Sequence, residues 1–242
     1  MANTAETDII HDPLGREFIT PENITGQVTS AGKSAILGGL VAEGYVDIPS
    51  RTSRLLRRDE TDGVHKIHTT LADLALGIRE GAYLEIEEVR EGVFYATQLP
   101  PNPSGRYAKD MELKGVLRLR RYVPEMKAIF PLPPLDWIEG KRVTEWERRH
   151  VLRDGFTRPF PEHAIDELRQ RLTGVVEEIT RVEDLDLVHD PHTLFVVNST
   201  LPTTVAAAKK FLLTGEKTEQ DGIEEHLQGI RVLAATALEV YL

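Results

Sequence analysis

The clearest alternation of apolar and polar positions lies between Pro161 and Val182. Apolar residues recur there in steps of three and four, at Ile165, Leu168, Leu172, Val175, Ile179 and Val182. This spacing predicts a helix with a narrow apolar seam. Such a seam packs against one partner element, either on a neighbouring copy or in the chain's own sheet.

Shorter patterns predict further elements around this helix. Helices are expected over residues 30–43 and 203–213, each with a capping residue at its start and a glycine after its end. Residues 71–78 are expected to form a short helix or a buried segment. Strands are expected over 45–48, 83–89, 93–99 and 194–197, where β-branched and aromatic residues concentrate. Residues 223–242 fit a helix or a strand equally well.

One stretch in the middle of the chain alternates strictly between apolar and charged residues. The apolar residues are Met111, Leu113, Leu117 and Leu119, and the charged residues that alternate with them are Glu112, Lys114, Arg118 and Arg120. A period of two predicts a half-buried strand with one basic face. Val116 does not fit this pattern, because it falls among the charges.

Together these elements predict an α+β fold. A strand-rich middle would pack on the long central helix, followed by a C-terminal strand–helix unit. The expected domains are an extended N-terminal arm (1–22), a helix plus strand-rich region (23–130), a linker bearing proline and tryptophan (131–160) and a C-terminal α/β region (161–242).

Composition narrows the classes of function. The chain has 242 residues and a net charge of 29 − 39 = −10, which repels nucleic acid and anionic membranes unless basic residues are segregated. It has no cysteine, so disulfides, thiolate nucleophiles and cysteine-based zinc sites are excluded. Neither a secretory signal nor a membrane-spanning run is recognisable, so the expected setting during synthesis is cytoplasmic.

A near-match to a phosphate-binding loop runs from Gly26 to Ser34 and ends in Gly32-Lys33-Ser34. Five residues separate its glycines, whereas the motif requires four. Residues 22–25, which precede it, do not resemble a buried strand. The sequence favours a glycine-bearing turn before an amphipathic helix and leaves phosphate binding open.

Other candidate chemistry is explained more simply by structural roles. His65 and His68 form one H-x-x-H pair and His189 and His192 another, but both pairs are expected in solvated loops, with metal binding left open. Ser199 and Thr200 are expected to cap a helix. Three further acidic side chains are expected on a solvated strand face: Glu85, Glu87 and Glu88. No catalytic residue, cofactor or metal site is predicted.

Residues 30–58 resemble the recognition helix and wing of winged-helix DNA-binding regulators. The helix at 30–43 is followed by a short strand and a cluster of basic residues. The residues expected to contact DNA are Lys33, Arg51, Arg54, Arg57 and Arg58. No two preceding helices complete the motif. A transcriptional regulator with a C-terminal sensing or dimerisation domain is therefore the alternative function.

The order of elements resembles that of tailed-phage major capsid proteins, which have an N-terminal arm, an extended loop and a long helix. This resemblance implies a non-enzymatic structural subunit of a symmetric assembly, a phage or virus particle component located in the virion. Its partners would be copies of itself and other structural proteins, with no membrane. The expected assembly contacts are Phe18, Ile19, Trp137, Trp146, Arg118 and Arg120.

Overall fold

The structure is a computed structural model that describes most of the chain between residues 9 and 241. The described ranges are 9–11, 17–19, 23–25, 31–56, 60–64, 66–90, 92–98, 106–111, 113–121, 124–135, 162–218 and 220–241. No helix within these ranges is both long enough and apolar enough to cross a membrane.

Six helices and eleven strands lie in the described ranges. The helices are α1 (Lys33–Ala42), α2 (Leu71–Glu80), α3 (Leu113–Arg120), α4 (Glu162–Asp184), α5 (Leu201–Thr214) and α6 (Ile223–Tyr241). The strands are β1 (Ile9–His11), β2 (Glu17–Ile19), β3 (Asn23–Thr25), β4 (Val46–Asp47), β5 (Ser50–Thr52), β6 (Lys66–His68), β7 (Tyr83–Arg90), β8 (Val93–Gln98), β9 (Tyr107–Asp110), β10 (Lys127–Leu132) and β11 (Thr193–Val197).

The strands form three sheets. The largest has the order β11-β10-β3-β9-β4, a second has the order β6-β5-β8-β7, and β1 pairs with β2. In the largest sheet β4 runs parallel to β9, and β10 runs parallel to β11. The architecture is therefore a mixture of helices and sheets, as predicted, although the predicted packing of the strand-rich middle on the central helix is not confirmed.

The chain divides into two compact units. The first comprises Met1–Ile24 and Leu40–Lys127, and the second comprises Thr25–Gly39 and Ala128–Leu242. The four domains expected from the sequence stay a prediction.

In the first unit, the four-stranded sheet brings distant parts of the sequence together. Strand β8 pairs antiparallel with β5 on one side and with β7 on the other, and β6 pairs parallel to β5. Helix α2 precedes β7 and begins at a capping box between Thr70 and Asp73. It ends at Gly81, which adopts a left-handed conformation at φ 67°.

The prediction of a basic strand over residues 111–120 is wrong, because the segment from Leu113 forms helix α3. Leu113, Val116 and Leu119 are buried at a spacing of three residues, which places them on one helical face. Val116, the residue that broke the strand pattern, is therefore central to the buried face.

In the second unit, α4 packs against α6 of the same chain. Leu172, Val175, Ile179 and Val182 of the predicted seam are all buried. At the edge of this helix pair, Arg231 donates to Glu183 over 2.6 Å. The ambiguous C-terminal segment is a helix, because Ile223–Tyr241 form α6.

The described part of the predicted N-terminal arm contains a strand pair. Ile10 lies opposite Phe18 in the antiparallel pairing of β1 with β2. These residues of the arm therefore form regular structure with each other within the chain.

Candidate functional site

One face of the four-stranded sheet carries polar side chains from all four strands. Paired residues on neighbouring strands point to the same side, and residues two apart on a strand share a face. The pairs Ser50–Lys66, Thr52–Tyr95 and Glu85–Thr97 therefore share one face, together with Glu87 opposite Tyr95. Five of these side chains are buried: Ser50, Thr52, Glu85, Glu87 and Thr97. An enclosed polar face destabilises a fold unless its groups are hydrogen-bonded, so its presence points to the binding of a polar ligand.

At the centre of this face, Glu85 has one satisfied and one unsatisfied carboxylate oxygen. Thr97 Oγ1 donates to Glu85 Oε1 over 2.7 Å. Glu85 Oε2 is buried and has no hydrogen-bond partner among the described residues. A β-carbon placed on Gly115 of α3 would lie 3.3 Å from this oxygen, so the glycine leaves space beside it. The free oxygen can accept hydrogen bonds from a ligand that carries N–H groups.

The expectation that Glu85, Glu87 and Glu88 form a solvated face is wrong for the first two. Glu85 and Glu87 are buried, whereas Glu88 is exposed and accepts a hydrogen bond from the backbone N–H of Gly92. A spacing of two residues was the available signal that Glu85 and Glu87 share a face, but it does not reveal which face is enclosed.

A cationic group lies beside Tyr95 on the same sheet. Arg54 donates to both carboxylate oxygens of Glu60, at 2.7 and 2.6 Å, and its Nε donates to the Tyr95 hydroxyl over 2.7 Å. Burial opposes the charge on Arg54, but the hydrogen bonds to Glu60 and Tyr95 outweigh burial and raise its pKa. Lys66 Nζ lies 5.3 Å from the Tyr95 ring centroid. Two cations held in this way can bind an anion.

A second lysine of this unit, Lys109 on β9, is completely buried. Its ammonium group donates to the Ile48 carbonyl over 2.9 Å and to Ser50 Oγ over 2.7 Å. Burial, with the nearby charge of Lys66 as a second cause, lowers the pKa of Lys109 to about 8. Sequence analysis missed Lys109, Ser50 and Thr97, because only the strand register brings them together.

The near-match to a phosphate-binding loop lies between a strand and a helix, the context that this motif requires. Residues 23–25 form strand β3, in the middle of the largest sheet, and helix α1 begins at Lys33. The expectation that no strand precedes the loop is therefore wrong. The backbone N–H groups of Ala35 and Ile36 both donate to the Gly32 carbonyl over 3.1 Å, which starts the helix directly after the glycine. A strand, a glycine-bearing loop and a helix starting with Lys-Ser can hold phosphates.

The end of this loop is fixed by Asn198, which follows β11. Its Nδ2 donates to the Ala31 carbonyl over 2.8 Å, and its Oδ1 accepts from Thr204 Oγ1 over 3.0 Å. Gly32 has a φ of 88°. A β-carbon there would lie 2.4 Å from Asn198 Nδ2, so both conformation and space require glycine. The loop departs from the motif at Gln27, where the spacing calls for the first glycine, but residues 26–30 lie outside the described ranges.

The residues predicted to contact DNA are divided between the two units where the structure describes them. Lys33 is the first residue of α1 in the second unit, whereas Arg51 and Arg54 belong to the first unit. Arg51 donates to Gln98 over 3.1 Å, and Arg54 is held by Glu60 and Tyr95. Arg57 and Arg58 lie outside the described residues.

The residues predicted to make assembly contacts have intramolecular partners where the structure describes them. The backbone of Phe18 and Ile19 lies in β2, paired with β1. Arg118 of α3 donates to the Ile86 carbonyl, and Arg120 donates to the Met126 carbonyl over 3.0 Å. Trp137 and Trp146 lie outside the described residues.

Of the predicted histidine pairs, His65 lies outside the described ranges. His189 Nδ1 lies 2.6 Å from Asp186 Oδ1, and this hydrogen bond raises the pKa of His189. Within the described part of the chain, no three His, Cys, Asp or Glu side chains come together as a metal site.

Comparison with known proteins finds guanylate kinases from several bacteria that are similar to this chain. The guanylate kinase of Salinibacter ruber is 30% identical over 168 residues, which cover 66% of this chain and 81% of the relative. The guanylate kinase of Mannheimia succiniciproducens is 27% identical over 169 residues, covering 66% of this chain and 74% of the relative. That of Pasteurella multocida is 25% identical over 216 residues, covering 82% and 93%. No family model matches the chain.

The fold agrees with these sequence relatives. The crystal structure of guanylate kinase from Anaplasma phagocytophilum superimposes with a TM-score of 0.51 at 18% identity, covering 85% of this chain and 92% of that chain.

These relatives overturn the functions predicted from the order of elements. The resemblance to phage capsid proteins is wrong, and with it the structural virion subunit, its structural partners and its location in the virion. The alternative of a DNA-binding regulator is also wrong, as is the prediction that the protein is not an enzyme. The chain belongs to the guanylate kinase family.

Proposed function

We propose that the protein is a guanylate kinase that transfers the γ-phosphoryl group of ATP to GMP. The observation that carries this proposal is the buried, unpaired Oε2 of Glu85 on an enclosed polar face. The cytoplasmic setting expected from the sequence is part of the same proposal.

Glu85 provides the chemistry that selects guanine. The Watson–Crick edge of guanine carries N–H donors at N1 and N2, whereas adenine has an acceptor at N1. An ionised carboxylate is an acceptor only, so it pairs with guanine and opposes adenine. Thr97 fixes the orientation of the carboxylate by donating to Oε1, which leaves Oε2 for the base.

The phosphate of GMP is assigned to the cations beside Tyr95. Arg54 is fixed by Glu60 and Tyr95, and Lys66 lies over the same ring. Charge-assisted hydrogen bonds to phosphate oxygens are the strong contacts that such groups make. They also reduce the repulsion between this phosphate and the phosphates of ATP.

The phosphates of ATP are assigned to the loop that precedes α1. Backbone N–H groups at the start of this helix and the Lys33 ammonium would contact them. Mg²⁺ would be held by the Ser34 hydroxyl, which suits that role because Ser34 is exposed in the first helical turn. The ion would neutralise charge on the phosphates of ATP.

In the proposed reaction, a phosphate oxygen of GMP attacks the γ-phosphorus of ATP. The bond between the γ-phosphorus and the bridging oxygen breaks, and GDP and ADP leave. Phosphoryl transfer needs little covalent help from the protein, so catalysis depends on positioning and on stabilising charge. Lys33 on the donor side, and Arg54 with Lys66 on the acceptor side, supply that charge.

The experiment compares Glu85→Gln with Glu88→Gln. ADP formation from ATP is measured with GMP, AMP, CMP and UMP as acceptors. We expect the wild type to prefer GMP. Because the replacement amide points an N–H₂ group or a weaker acceptor at the base, Glu85→Gln should lower kcat/KM for GMP by about 30- to 1000-fold.

Glu88→Gln is the matched control, because Glu88 lies on the same strand, is exposed, and retains an oxygen for the Gly92 N–H. Its kcat/KM for GMP should equal that of the wild type. A wild type that phosphorylates no nucleoside monophosphate would refute the proposed activity. Retained GMP selectivity in Glu85→Gln would refute the assigned base contact.

A further inference from the structure

We propose that Lys109 is a positioning residue of the acceptor-nucleotide site, whose ammonium group directs the hydroxyl hydrogen of Ser50 toward an oxygen of the bound nucleotide. This inference rests on the proposed function, because it assumes that the acceptor nucleotide binds on the polar face of the sheet.

The direction of the hydrogen bond between Lys109 and Ser50 follows from their chemistry. An ammonium group donates but cannot accept. Lys109 Nζ lies 2.7 Å from Ser50 Oγ, so the serine oxygen is the acceptor in this contact. Lys66 Nζ approaches the same oxygen at 3.4 Å as a second donor. The hydroxyl hydrogen of Ser50 must therefore point away from both lysines.

Loss of the Lys109 proton reverses this arrangement. A neutral amine keeps a lone pair, which can accept the hydroxyl hydrogen of Ser50. Lys109 can then still donate to the Ile48 carbonyl, which lies 2.9 Å from Nζ. The hydrogen turns toward Lys109, and the nucleotide loses a donor. The ionisation of a residue that need not touch the ligand thereby changes the affinity of the site.

The charges around Lys109 place this change near neutral pH. Burial and Lys66 on β6 favour the neutral amine, whereas Glu85 on β7, Asp47 on β4 and Asp110 on β9 favour the ammonium form. The net result is a Lys109 pKa of about 8. Because the nucleotide prefers the ammonium form, its binding is linked to proton uptake above that pH.

The first test measures the dissociation constant of GMP by isothermal titration calorimetry between about pH 7 and 9, for wild type and Lys109→Met. A lost hydrogen bond of ordinary strength predicts that Lys109→Met binds GMP about tenfold more weakly at pH 7. The ratio of the two constants should shrink toward one at about pH 9, because the wild type loses the same contact. Taking the ratio cancels the ionisation of GMP itself.

The second test uses Ser50→Ala, alone and combined with Lys109→Met. If Lys109 acts through Ser50, the double variant binds GMP as weakly as Ser50→Ala alone. The dissociation constant of GMP for Ser50→Ala, divided by that for the wild type, should also shrink toward one above about pH 8. This comparison keeps the inference testable even if Lys109→Met does not fold. Lys114→Met is the control, because Lys114 is exposed on α3; its affinity for GMP should be unchanged.

This role for Lys109 would be overturned if the ratio of the variant and wild-type dissociation constants stayed constant across the pH range. It would also be overturned if the losses of GMP affinity in the two single variants added up in the double variant. Either result would leave the kinase proposal standing, provided that the wild type phosphorylates GMP. Failure of the wild type to bind GMP at any pH would overturn the proposed function and the inference with it.

Discussion

Lys109 shows how a single residue of the site combines burial with charge. It is among the largest fully buried side chains of the described structure, although lysine is normally exposed. Hydrogen bonds to the Ile48 carbonyl and Ser50 Oγ offset part of the penalty for removing its charge from water. The remaining penalty appears as the lowered pKa of Lys109, and it connects ligand binding with stability.

At the same scale, the free energy of unfolding should rise between about pH 8 and 10.5. The pKa of Lys109 is about 8 in the folded protein and 10.5 as an unperturbed side chain. Between these values the unfolded chain binds more protons, so raising the pH favours the folded state, by on the order of 3 kcal/mol in total. Below pH 8 Lys109 is protonated in both the folded and the unfolded state, so it does not make the free energy of unfolding depend on pH.

Urea unfolding of wild type and Lys109→Met, at several pH values from 7 to 10, measures this contribution as the difference between the two profiles. Parallel profiles would show that Lys109 remains charged in the folded protein throughout the range, as it does in the unfolded chain.

At the scale of elements, α1 contains adjacent glycines in different surroundings. A β-carbon on Gly38 would have no neighbour within 4 Å, whereas one on Gly39 would lie 2.5 Å from Val205 Cγ2 of α5. Gly39 therefore allows α1 to lie close to α5, while Gly38 only weakens the helix. The sequence alone presents the two glycines as equivalent.

We expect Gly38→Ala to raise the free energy of unfolding by about 0.5–1 kcal/mol, the difference in helix propensity. Gly39→Ala should lower it by about 1–2 kcal/mol, because a stiff β-branched neighbour must move and this cost exceeds the propensity gain. Thermal unfolding of the two variants, each serving as the other's control, tests the packing. Equal shifts would mean that α5 does not confine Gly39.

Elements with a single clear period were predictable from the sequence. The helix with the α4 seam and the β7–β8 strand pair both appear in the structure close to their expected bounds. Residues 113–120 were not predictable, because their apolar residues fit a period of two as well as a helix and only packing decides between them. Strand β3 has three residues, of which only Ile24 is apolar, so the local sequence does not predict a strand there.

At the scale of the whole molecule, each unit has its own binding chemistry. The first unit holds Glu85, Thr97, Arg54 and Lys109, and the second holds the loop that ends at Lys33. The net charge of −10 predicted poor binding of polyanions, but it could not reveal cations gathered at one face. Glu85 and Lys109 are 24 positions apart in the sequence and lie in different sheets, so no local pattern reveals that their charges interact.

Amide hydrogen exchange should separate the two sites. GMP should slow exchange most in the peptides of β5, β7 and β8, in the first unit. A non-hydrolysable ATP analogue should slow it most at the start of α1 and around Asn198, in the second unit. These expectations follow because a ligand suppresses the local opening of the segments that it contacts. AMP is the control for GMP, and protection by GMP confined to the second unit would contradict the assignment of its site.

The enclosed polar face also has a consequence for the lifetime of the protein in the cell. A sheet face made of Ser50, Thr52, Glu85, Glu87 and Thr97 contributes little hydrophobic free energy to folding. If the acceptor nucleotide binds at this face, we expect the empty protein to open there more readily than the nucleotide-bound protein does, and proteases act on such open forms. We therefore expect the protein to be degraded faster when that nucleotide is scarce, so that the supply of the nucleotide would adjust how much of the protein the cell retains.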